Sequence, residues 1–512
     1  MNLVKSLRDG SFDRKAANDT GFIDPQTWRD HFSSLLGPQI DHNQDQQKLI
    51  DYVENNCDKY ESELGRPFVL PELLKGISTL ANNKATSFDR VSNEVLKTAK
   101  LVIARPTLQL FNSILSSGIY PSQWKRDILS PIHKSGEKND PNNFRGVTVS
   151  SCYGKLFNKL LQKRLEDLCK EKKFISNVQG SGKAGSRTSD HLLIVKFLSE
   201  KYAKKKGKYL YTCFVDLRKA FDSVPRSNLF HSLLKDYSIG GKFLKILREI
   251  YKDNKIYVKL RDVLLKPFVT IISVKQGCVL SPLLFNLYID RISKIFDQSC
   301  SPVKINNKDF NCLLWADDLL LVSETPQGLQ NCINKMEKVY TDLDLKINIK
   351  KTKVIIFNKK GSTMENKFQF YLKGEKISIT NEYQYLGIKL RPSGSLKMGV
   401  EEVNDKASRA WFGINNIIYK NKRMETDKAF GIFDSLVTPV ATYACEFWLP
   451  YLIKKTGFMS RNNLLSSWES LKCETLNQKC SQMVLSVHNK ASRLAVLGEL
   501  GRYPLFLPAL SK

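Results

Sequence analysis

The stretch LLWADDLLLVS, Leu313 to Ser323, sets two adjacent aspartates, Asp317 and Asp318, between two strongly apolar runs. An ionised carboxylate is costly to bury without a partner, and two adjacent ones cost more. On a regular strand neighbouring side chains point to opposite faces, whereas at the tip of a hairpin they can converge. The apolar flanks therefore predict a buried hairpin whose tip carries both carboxylates, although an acidic pair at a turn can also be a solvated bend.

A second carboxylate lies upstream, in FVDLRKAFD, where Asp216 ends the run YLYTCFVD that starts at Tyr209. That run is rich in aromatic and β-branched residues and is typical of a buried strand. A carboxylate at the end of a strand, beside a pair at a hairpin tip, favours a divalent metal site. Mg²⁺ prefers hard oxygen ligands and keeps positions open for phosphate. Two such ions about 3.5–4 Å apart stabilise the attacking and leaving oxygens of a phosphoryl displacement.

Composition narrows the class of partner. The 512 residues include 80 Lys and Arg against 51 Asp and Glu, a formal net charge of +29. Such an excess attracts polyanions, nucleic acid first, although an inert basic surface has the same composition. At roughly 150 residues per domain the length predicts two to four subdomains. The sequence contains no apolar stretch of about 20 residues, so it predicts no membrane span. The N-terminus lacks a secretory pattern. The 11 scattered cysteines fit free thiols in a reducing compartment.

The order of predicted elements indicates the fold class. From Tyr209 to the run TKVIIFN it is strand, helix, hairpin, helix, hairpin, helix, strand. KIYVKLRDVLLKPFVTIISV predicts two strands, and SPLLFNLYIDRISKIF predicts a helix with Ser281 as its N-cap and Pro282 at its first position. Antiparallel strand pairs backed by helices predict an α+β layer rather than a doubly wound parallel sheet.

These stretches form an ordered set of motifs that resembles the reverse transcriptases of non-LTR (LINE-type) retrotransposons. The motifs, in chain order, are FRGVTVSSCYGKLFNKLLQKRL, FVDLRKAFDSV, VKQGCVLSPLLFNLYID, WADDLLLVS, GLQNCINKMEKVYTDLDLKINIKKTKVIIF and YQYLGIKL. The resemblance runs from about residue 68 to 450. It implies an RNA-directed DNA polymerase that copies an RNA template by adding dNTPs to the 3′-OH of a DNA primer.

The resemblance also implies the catalytic groups. Asp216, Asp317 and Asp318 would bind two Mg²⁺ ions, for which Mn²⁺ can substitute, in a two-metal nucleotidyl transfer, and the carbonyl of Leu217 would help. Lys351 would protonate the departing pyrophosphate. Lys350 and Lys353 are rivals of Lys351 in the sequence KKTK.

Other positions would hold the substrates. Arg145 would pair with the triphosphate, since its planar fork of donors suits phosphate oxygens. Phe221 would lie under the sugar and exclude a 2′-OH, although outside the motif it would be an ordinary core phenylalanine. Gln276 and Gly277 would line the nucleotide and the template base, with the glycine permitting close backbone approach. Tyr385, Leu386 and Gly387 would form the primer grip.

The resemblance further implies a right-hand architecture of palm, fingers and thumb with an antiparallel palm sheet backed by helices. We expect a polar N-terminal extension over 1–65, fingers and palm over 66–390, a helical thumb over 391–450 and a helical tail over 451–512. The missing secretory pattern and apolar span predict an intracellular location with no membrane partner. A nuclear location, beside the cytoplasm, is expected only from how such elements insert, where the DNA target supplies the primer. The sequence leaves the oligomeric state open.

Two departures from the family bear on activity. Trp315 stands where the family usually carries Tyr or Phe, and QGSGKAGSRTSDHLL, from Gln179, lacks the Phe of a QxGFR-like core. The second departure leaves template contacts between Gln179 and Arg187 open. With no room for an endonuclease domain before residue 65, we expect a piece of an element's polyprotein or a truncated copy. A nucleic-acid-binding remnant without catalysis and a metal-dependent nuclease remain alternatives, but a nuclease would not explain Phe221 or Gln276.

Overall fold

The computed structural model describes residues 23–37, 44–60, 63–134, 136–203, 207–275, 277–305, 308–420, 424–448 and 472–505. In this part of the chain the strands are β1 Arg126–His133, β2 Phe144–Val149, β3 Leu210–Val215, β4 Asn254–Leu260, β5 Val263–Leu264, β6 Phe268–Thr270, β7 Val303–Ile305, β8 Lys308–Phe310, β9 Cys312–Trp315, β10 Asp318–Ser323, β11 Lys353–Phe357, β12 Phe370–Leu372, β13 Glu375–Ile379, β14 Tyr383–Tyr385 and β15 Ile388–Leu390.

Helices make up most of the remaining described structure. They are α1 Pro25–Leu36, α2 Gln44–Asn56, α3 Leu70–Ser78, α4 Asn93–Thr98, α5 Lys100–Ser117, α6 Cys152–Lys172, α7 Thr188–Ala203, α8 Arg226–Tyr237, α9 Gly241–Tyr251, α10 Ser281–Ile289, α11 Pro326–Asp342, α12 Lys397–Lys420, α13 Thr426–Leu436, α14 Thr438–Ala441, α15 Lys472–Val484 and α16 Arg493–Glu499. Among the residues described, none of these helices is long and apolar enough to cross a bilayer.

A six-stranded sheet in the order β12–β13–β11–β3–β10–β9 lies at the centre of the molecule. Every residue of β3 is buried because both faces of the sheet are covered. Tyr211, Cys213 and Val215 face one hydrophobic core, while Leu210 and Phe214 face a second core on the other side. This split follows from the two-residue period of a strand. Helix α11 covers the first face, and α7 and α12 cover the second.

A five-stranded sheet is built from β2, β1, β4 and β5, with β6 also paired to β4. Along β4 the residues Ile256, Val258 and Leu260 are buried, and Lys255 and Lys259 between them are exposed. The buried side packs against α1 through three apolar residues, spaced four apart, that share its core: Trp28, Phe32 and Leu36. The opposite side of this sheet therefore carries alternating exposed residues.

The predicted α+β class is confirmed, with helices backing a sheet whose site-bearing strands β11, β3, β10 and β9 pair antiparallel. Three details differ from the prediction. The stretch from Lys255 to Val274, predicted as two strands, takes part in three, β4, β5 and β6. The strands β11 and β13 pair in parallel, so the complete six-stranded sheet is mixed. Ser281 is the first residue of α10 rather than its N-cap, and its hydroxyl donates to the carbonyl of Lys275 at 2.7 Å.

The region before residue 66 contains more packed structure than its polar composition suggests. Asp24 caps α1 by accepting the N–H groups of Gln26 and Thr27 at 2.9 and 3.1 Å. Trp28 is fully buried and lies edge-on to Phe144 of β2, with the ring centroids 4.7 Å apart. The predicted domain boundaries at 66, 391 and 451 stay predictions, and the first stretch of the expected tail lies outside the described residues.

All 11 cysteines lie within the described residues, each is buried, and none of them forms a disulfide. This agrees with the expectation of thiols rather than a disulfide framework. Burial raises the pKa of several of them, including Cys169, whose pKa is raised to about 12.

Candidate active site

The predicted hairpin is confirmed, and an unpredicted segment holds its tip. Ala316, the first residue of the turn, has a left-handed φ of 53°, and its N–H donates to Oε1 of the buried Gln179 at 3.1 Å. On the strand before the turn, the N–H of Leu314 donates to the carbonyl of Val178 at 2.9 Å. The carbonyl of Leu314 accepts the N–H of Gly180 at 2.9 Å. Residues 178–180 therefore fix both the strand and the turn that carry the two aspartates.

Strand register brings Asp216 to the same end of the sheet. Leu319 of β10 pairs with Val215 of β3 in an antiparallel ladder, so Asp318 lies opposite Asp216 one residue further along. Side chains directly opposite in such a ladder have Cβ atoms about 4.5–5.5 Å apart and lie on the same face. The backbone of Asp216 is held from the other side by Thr352, whose Oγ1 accepts its N–H at 3.3 Å.

The protein environment at this end of the strands disfavours the charged form of Asp317 and Asp318. The side chain of Asp318 is exposed at the start of β10, but desolvation by the surrounding protein raises its pKa to about 6, with further contributions from the charges of Asp317 and Asp216. Burial and the charge of Asp216 also raise the pKa of Asp317, while the nearby cations Arg145 and Lys134 act in the opposite direction. The three carboxylates are thus close enough to repel one another, and two basic side chains partly offset that repulsion.

These properties fit a divalent cation by donor chemistry and by charge. Carboxylate oxygens are the ligands that Mg²⁺ prefers, and a cation would relieve the repulsion between carboxylates that face each other across the strands. In the described part of the chain, however, no three His, Cys, Asp or Glu side chains are already grouped as a metal ion would need. Rotation of the aspartate side chains would have to complete the coordination.

The backbone after Asp216 is tied to the segment that carries the predicted lysines. Residue Leu217 is buried and forms an isolated bridge with Ile347. The carbonyl of Asp216 accepts the N–H of Asn348 at 2.8 Å, and the carbonyl of Asn348 accepts the N–H of Lys351 at 3.1 Å. Lys351 therefore lies in an exposed turn that is connected to Asp216 through a single intervening residue.

The two rival lysines differ in their surroundings. The amine of Lys353 donates to the hydroxyl of Ser378 on the neighbouring strand β13, which engages it away from the turn. Lys350 is exposed beside Lys351. These positions leave Lys350 and Lys351 as the two candidates for a proton donor.

Phe221 occupies a short 3₁₀ turn, Ala220–Ser223, just after Asp216. Its ring stacks on that of Phe285 with centroids 4.3 Å apart and an angle of 23° between the planes. The side chain is only half-buried, so one part of the ring packs on the core and another part faces outward. The position is compatible with both of its predicted roles.

Gly277 brings the motif before α10 against the five-stranded sheet. It has a φ of +96°, and a Cβ at this position would lie 2.6 Å from the carbonyl oxygen of Thr148 in β2. The absence of a side chain therefore lets this part of the motif lie against β2, the strand that carries Arg145, while the predicted approach of Gly277 to the nucleotide stays a prediction. Gln276, the other predicted residue of this motif, lies outside the described residues.

Of the predicted primer-grip residues, Tyr385 ends β14, and Leu386 and Gly387 form the turn between β14 and β15. Tyr385 is buried, and burial together with the charge of Asp318 raises the pKa of its phenol. Leu386 and Gly387 have left-handed φ values of 43° and 81°. The hydroxyl of Tyr443 donates to the carbonyl of Leu386 at 2.8 Å. The structure thus brings this turn into the electrostatic neighbourhood of Asp318.

Sequence reasoning missed Gln179, Lys134 and Thr352 as parts of this neighbourhood. For Gln179 a signal existed, since it opens the segment that resembles a family motif, but the missing Phe directed attention to template contacts. Lys134 and Thr352 lie among ordinary polar residues, and only the folded arrangement brings them close to the aspartates.

Comparison with known proteins places these motifs in a family. The family model described as reverse transcriptase (RNA-dependent DNA polymerase) matches residues 132–390, about half of the chain. A probable RNA-directed DNA polymerase from the transposon BS of Drosophila melanogaster is 23% identical over 393 residues, which is 75% of this chain and 42% of that protein. The RNA-directed DNA polymerase from the Drosophila melanogaster mobile element jockey is 22% identical over 440 residues, covering 81% of this chain and 46% of that protein.

The chain therefore spans less than half the length of these relatives. Among solved structures, apo telomerase from Candida tropicalis is 14% identical with a TM-score of 0.41, covering 78% of this chain and 74% of that one. The resemblance to non-LTR retrotransposon reverse transcriptases is confirmed by the family match and the transposon relatives. With its ordered motifs and the aspartates that they carry, the chain belongs to the reverse transcriptase (RNA-dependent DNA polymerase) family.

Proposed function

We propose that the chain is an RNA-directed DNA polymerase that extends the 3′-OH of a DNA primer with dNTPs along an RNA template. The observation that carries the proposal is the facing pair Asp216 and Asp318 at one end of a fully covered sheet, with Asp317 in the adjoining turn. The formal net charge of +29 supports a nucleic-acid partner. The action of such elements on chromosomal DNA favours a nuclear as well as a cytoplasmic location.

The rigid strands supply position more than chemistry. Phosphoryl transfer depends mainly on alignment and on neutralising charge. Two bound Mg²⁺ ions would activate the primer 3′-oxygen and neutralise the triphosphate. Asp216, Asp317 and Asp318 would hold the ions, and the carbonyl of Leu217 would assist.

The residues around the aspartates would bind and orient the nucleotide. The guanidinium of Arg145 already acts electrostatically on Asp317, so it would reach the triphosphate of a nucleotide bound there. The outward part of the Phe221 ring would occupy the space that a 2′-OH requires. Lys351, or Lys350 beside it, would deliver a proton to the pyrophosphate that leaves.

Primer extension on an RNA template with dNTPs and Mg²⁺ tests the proposal, with Asp318→Ala beside the wild type. Metal ligation contributes several kcal/mol of charge stabilisation, so we expect extension to fall by about 100-fold or more. Asp309→Ala is the matched control because this exposed aspartate lies on the separate β7–β8 hairpin; it should extend normally. Equal loss in both variants would point to damage to the fold.

A comparison of dNTPs with rNTPs as substrates distinguishes a DNA polymerase from other activities that the same carboxylates would support. The wild type should use dNTPs in preference to rNTPs, and Phe221→Ala should narrow that preference because the ring no longer fills the space of the 2′-OH. Equal use of both nucleotides by the wild type would contradict the proposal. RNA binding without any extension would identify a remnant that binds nucleic acid only, and cleavage without extension would identify a nuclease.

A further inference from the structure

The two departures from the family pattern, Trp315 and the segment from Gln179, contact each other in the folded chain. Gly180 lies against the indole of Trp315, and a Cβ on Gly180 would come within 2.7 Å of its Cε3 and Cζ3 atoms. The same Cβ would lie 2.8 Å from Nε2 of His191. A glycine at 180 therefore makes the space that the larger ring at 315 and the imidazole both occupy.

His191 connects this cluster to the predicted primer grip. It is buried at the start of α7, and its ring stands edge-on to Trp315 with centroids 5.3 Å apart. On its other side Nδ1 lies 3.4 Å from the hydroxyl of Tyr385, also buried. The imidazole thus joins Trp315, which ends β9 before the aspartate turn, to Tyr385, which ends β14 before the primer-grip turn.

A second contact ties the same helix to the same turn. Thr188, at the start of α7, lies with its Oγ1 3.2 Å from the hydroxyl of Tyr443, which itself donates to the carbonyl of Leu386. The start of α7 therefore meets the primer-grip turn at two points. Arg145, Phe221 and Gly277 lie outside α7.

We propose that His191 is a positioning residue for the primer terminus, holding Tyr385 in a fixed relation to the catalytic turn through Trp315. This inference rests on the proposed polymerase function and deepens it. A primer 3′-end has to be aligned with the aspartates for in-line attack, and displacements of about 1 Å can cost about 100-fold in rate. The link acts on the primer-grip turn, whereas the predicted nucleotide contacts Arg145, Phe221 and Gly277 lie elsewhere in the chain.

The surroundings of His191 make a clean substitution possible. Burial lowers its pKa to about 4, so the imidazole is neutral at ordinary working pH. His191→Phe therefore preserves an aromatic ring and removes no charge. It removes the partner of the buried Tyr385 hydroxyl, and an unsatisfied buried polar group is costly.

Steady-state primer extension with His191→Phe, Tyr385→Phe and the double variant tests the proposal. In His191→Phe we expect the KM for the primer–template to rise, or extension from a mismatched 3′-end to change, by about tenfold, while the KM for dNTP stays near that of the wild type. The double variant should recover most of this loss, because removing both polar partners leaves no unsatisfied group.

His231→Phe is the matched control. This histidine also stands edge-on to an aromatic ring, that of Tyr52, but in a contact between α8 and α2. The His231→Phe substitution should leave the KM for the primer–template and the KM for dNTP unchanged. Equal changes in the primer and dNTP constants of His191→Phe, or no recovery in the double variant, would overturn the positioning role.

If the wild type extends no primer, the proposed polymerase function is contradicted, and the positioning role of His191 is then tested by nucleic-acid binding. Fluorescence anisotropy with a duplex whose recessed primer 3′-end can occupy the site should show weaker binding by His191→Phe, with unchanged binding of the template alone. Equal affinities of the wild type and His191→Phe for the recessed duplex would overturn the inference, whatever the fate of polymerisation.

Discussion

The six-stranded and the five-stranded sheets differ in how many of their faces are covered by other elements. In the six-stranded sheet both faces are covered, and every residue of β3 is buried. In the five-stranded sheet α1 covers one face, while the other carries exposed side chains such as Arg145 and Val147. A strand covered on both sides can expose polar groups only where it ends, which is where Asp216 and Asp318 lie. A strand covered on one side can offer charged residues along its length.

The two sheets therefore differ in what they position and in which hydrophobic cores stabilise them. The six-stranded sheet fixes the aspartates in space, and its stability depends on two hydrophobic cores at once. The five-stranded sheet depends on one smaller core, to which α1 contributes a large share. We therefore expect equivalent substitutions to affect the whole molecule in the first sheet and a local region in the second.

The largest effect should come from Phe214→Ala in β3. Phe214 is 1% exposed and stacks on Tyr383 with centroids 4.5 Å apart. Truncating such a ring removes its burial and leaves a cavity, so the free energy of unfolding should fall by about 3–5 kcal/mol. Denaturant unfolding measures this free energy. Phe412→Ala, at a 67% exposed position on α12, is the control and should change it by less than about 0.5 kcal/mol.

A smaller and more local loss is expected from Trp28→Ala in α1. This residue is fully buried against Phe144, and its removal should lower the opening free energy of the five-stranded sheet by about 3 kcal/mol. Hydrogen exchange should speed up in β1, β2 and β4 and stay slow in β3 and β10. Equal acceleration in both sheets would show that they unfold as one unit and would remove the contrast.

The third prediction compares one substitution at two places. Val322 in β10 is 1% exposed, and Val147 in β2 is 39% exposed. Val→Ala removes two methyl groups, so Val322→Ala should destabilise by about 2 kcal/mol and Val147→Ala by less than about 0.5 kcal/mol. Unfolding midpoints measured under identical conditions test the pair. Equal shifts would mean that the outer face of β2 is covered in solution.

The smallest effect concerns the pH dependence of stability, because solvent screens the charge of the exposed Asp318 side chain. The folded pKa of Asp318 is about 6, above its ordinary value of 3.8. Between these values the folded state binds more protons than the unfolded state, so this group lowers stability as pH rises from about 4 to about 6. Asp318→Asn should lack that decrease in metal-free buffer. Thermal melts of the two proteins across this range should diverge, and parallel curves would contradict the raised pKa.

The sequence predicted the parts of the fold that local patterns encode. The hairpin around Asp317 followed from two apolar runs and a turn, and the strand before Asp216 followed from its composition. The covering of the five-stranded sheet by α1 did not follow, because Trp28, Phe32 and Leu36 stand among polar residues and their partner strands come much later in the chain. Packing of distant segments leaves no local pattern to recognise.

The candidate site was predictable to a similar extent. The resemblance supplied the three aspartates, and the structure brings them together through strand register. The tie between Gln179 and Ala316 joins two segments that have no periodic relation, so it required the fold. The same holds for the contact between His191 and Tyr385, which links a helix to a turn almost two hundred positions later.

The burial of every native thiol has a practical consequence for following this molecule at work. Maleimide reagents attack an exposed thiolate, so they do not reach a buried thiol. A cysteine introduced at an exposed position of β2, such as Val147→Cys, would therefore take up a fluorophore ahead of the 11 native cysteines. A second dye on the template would then report the distance between the five-stranded sheet and the nucleic acid, with every native cysteine left in place.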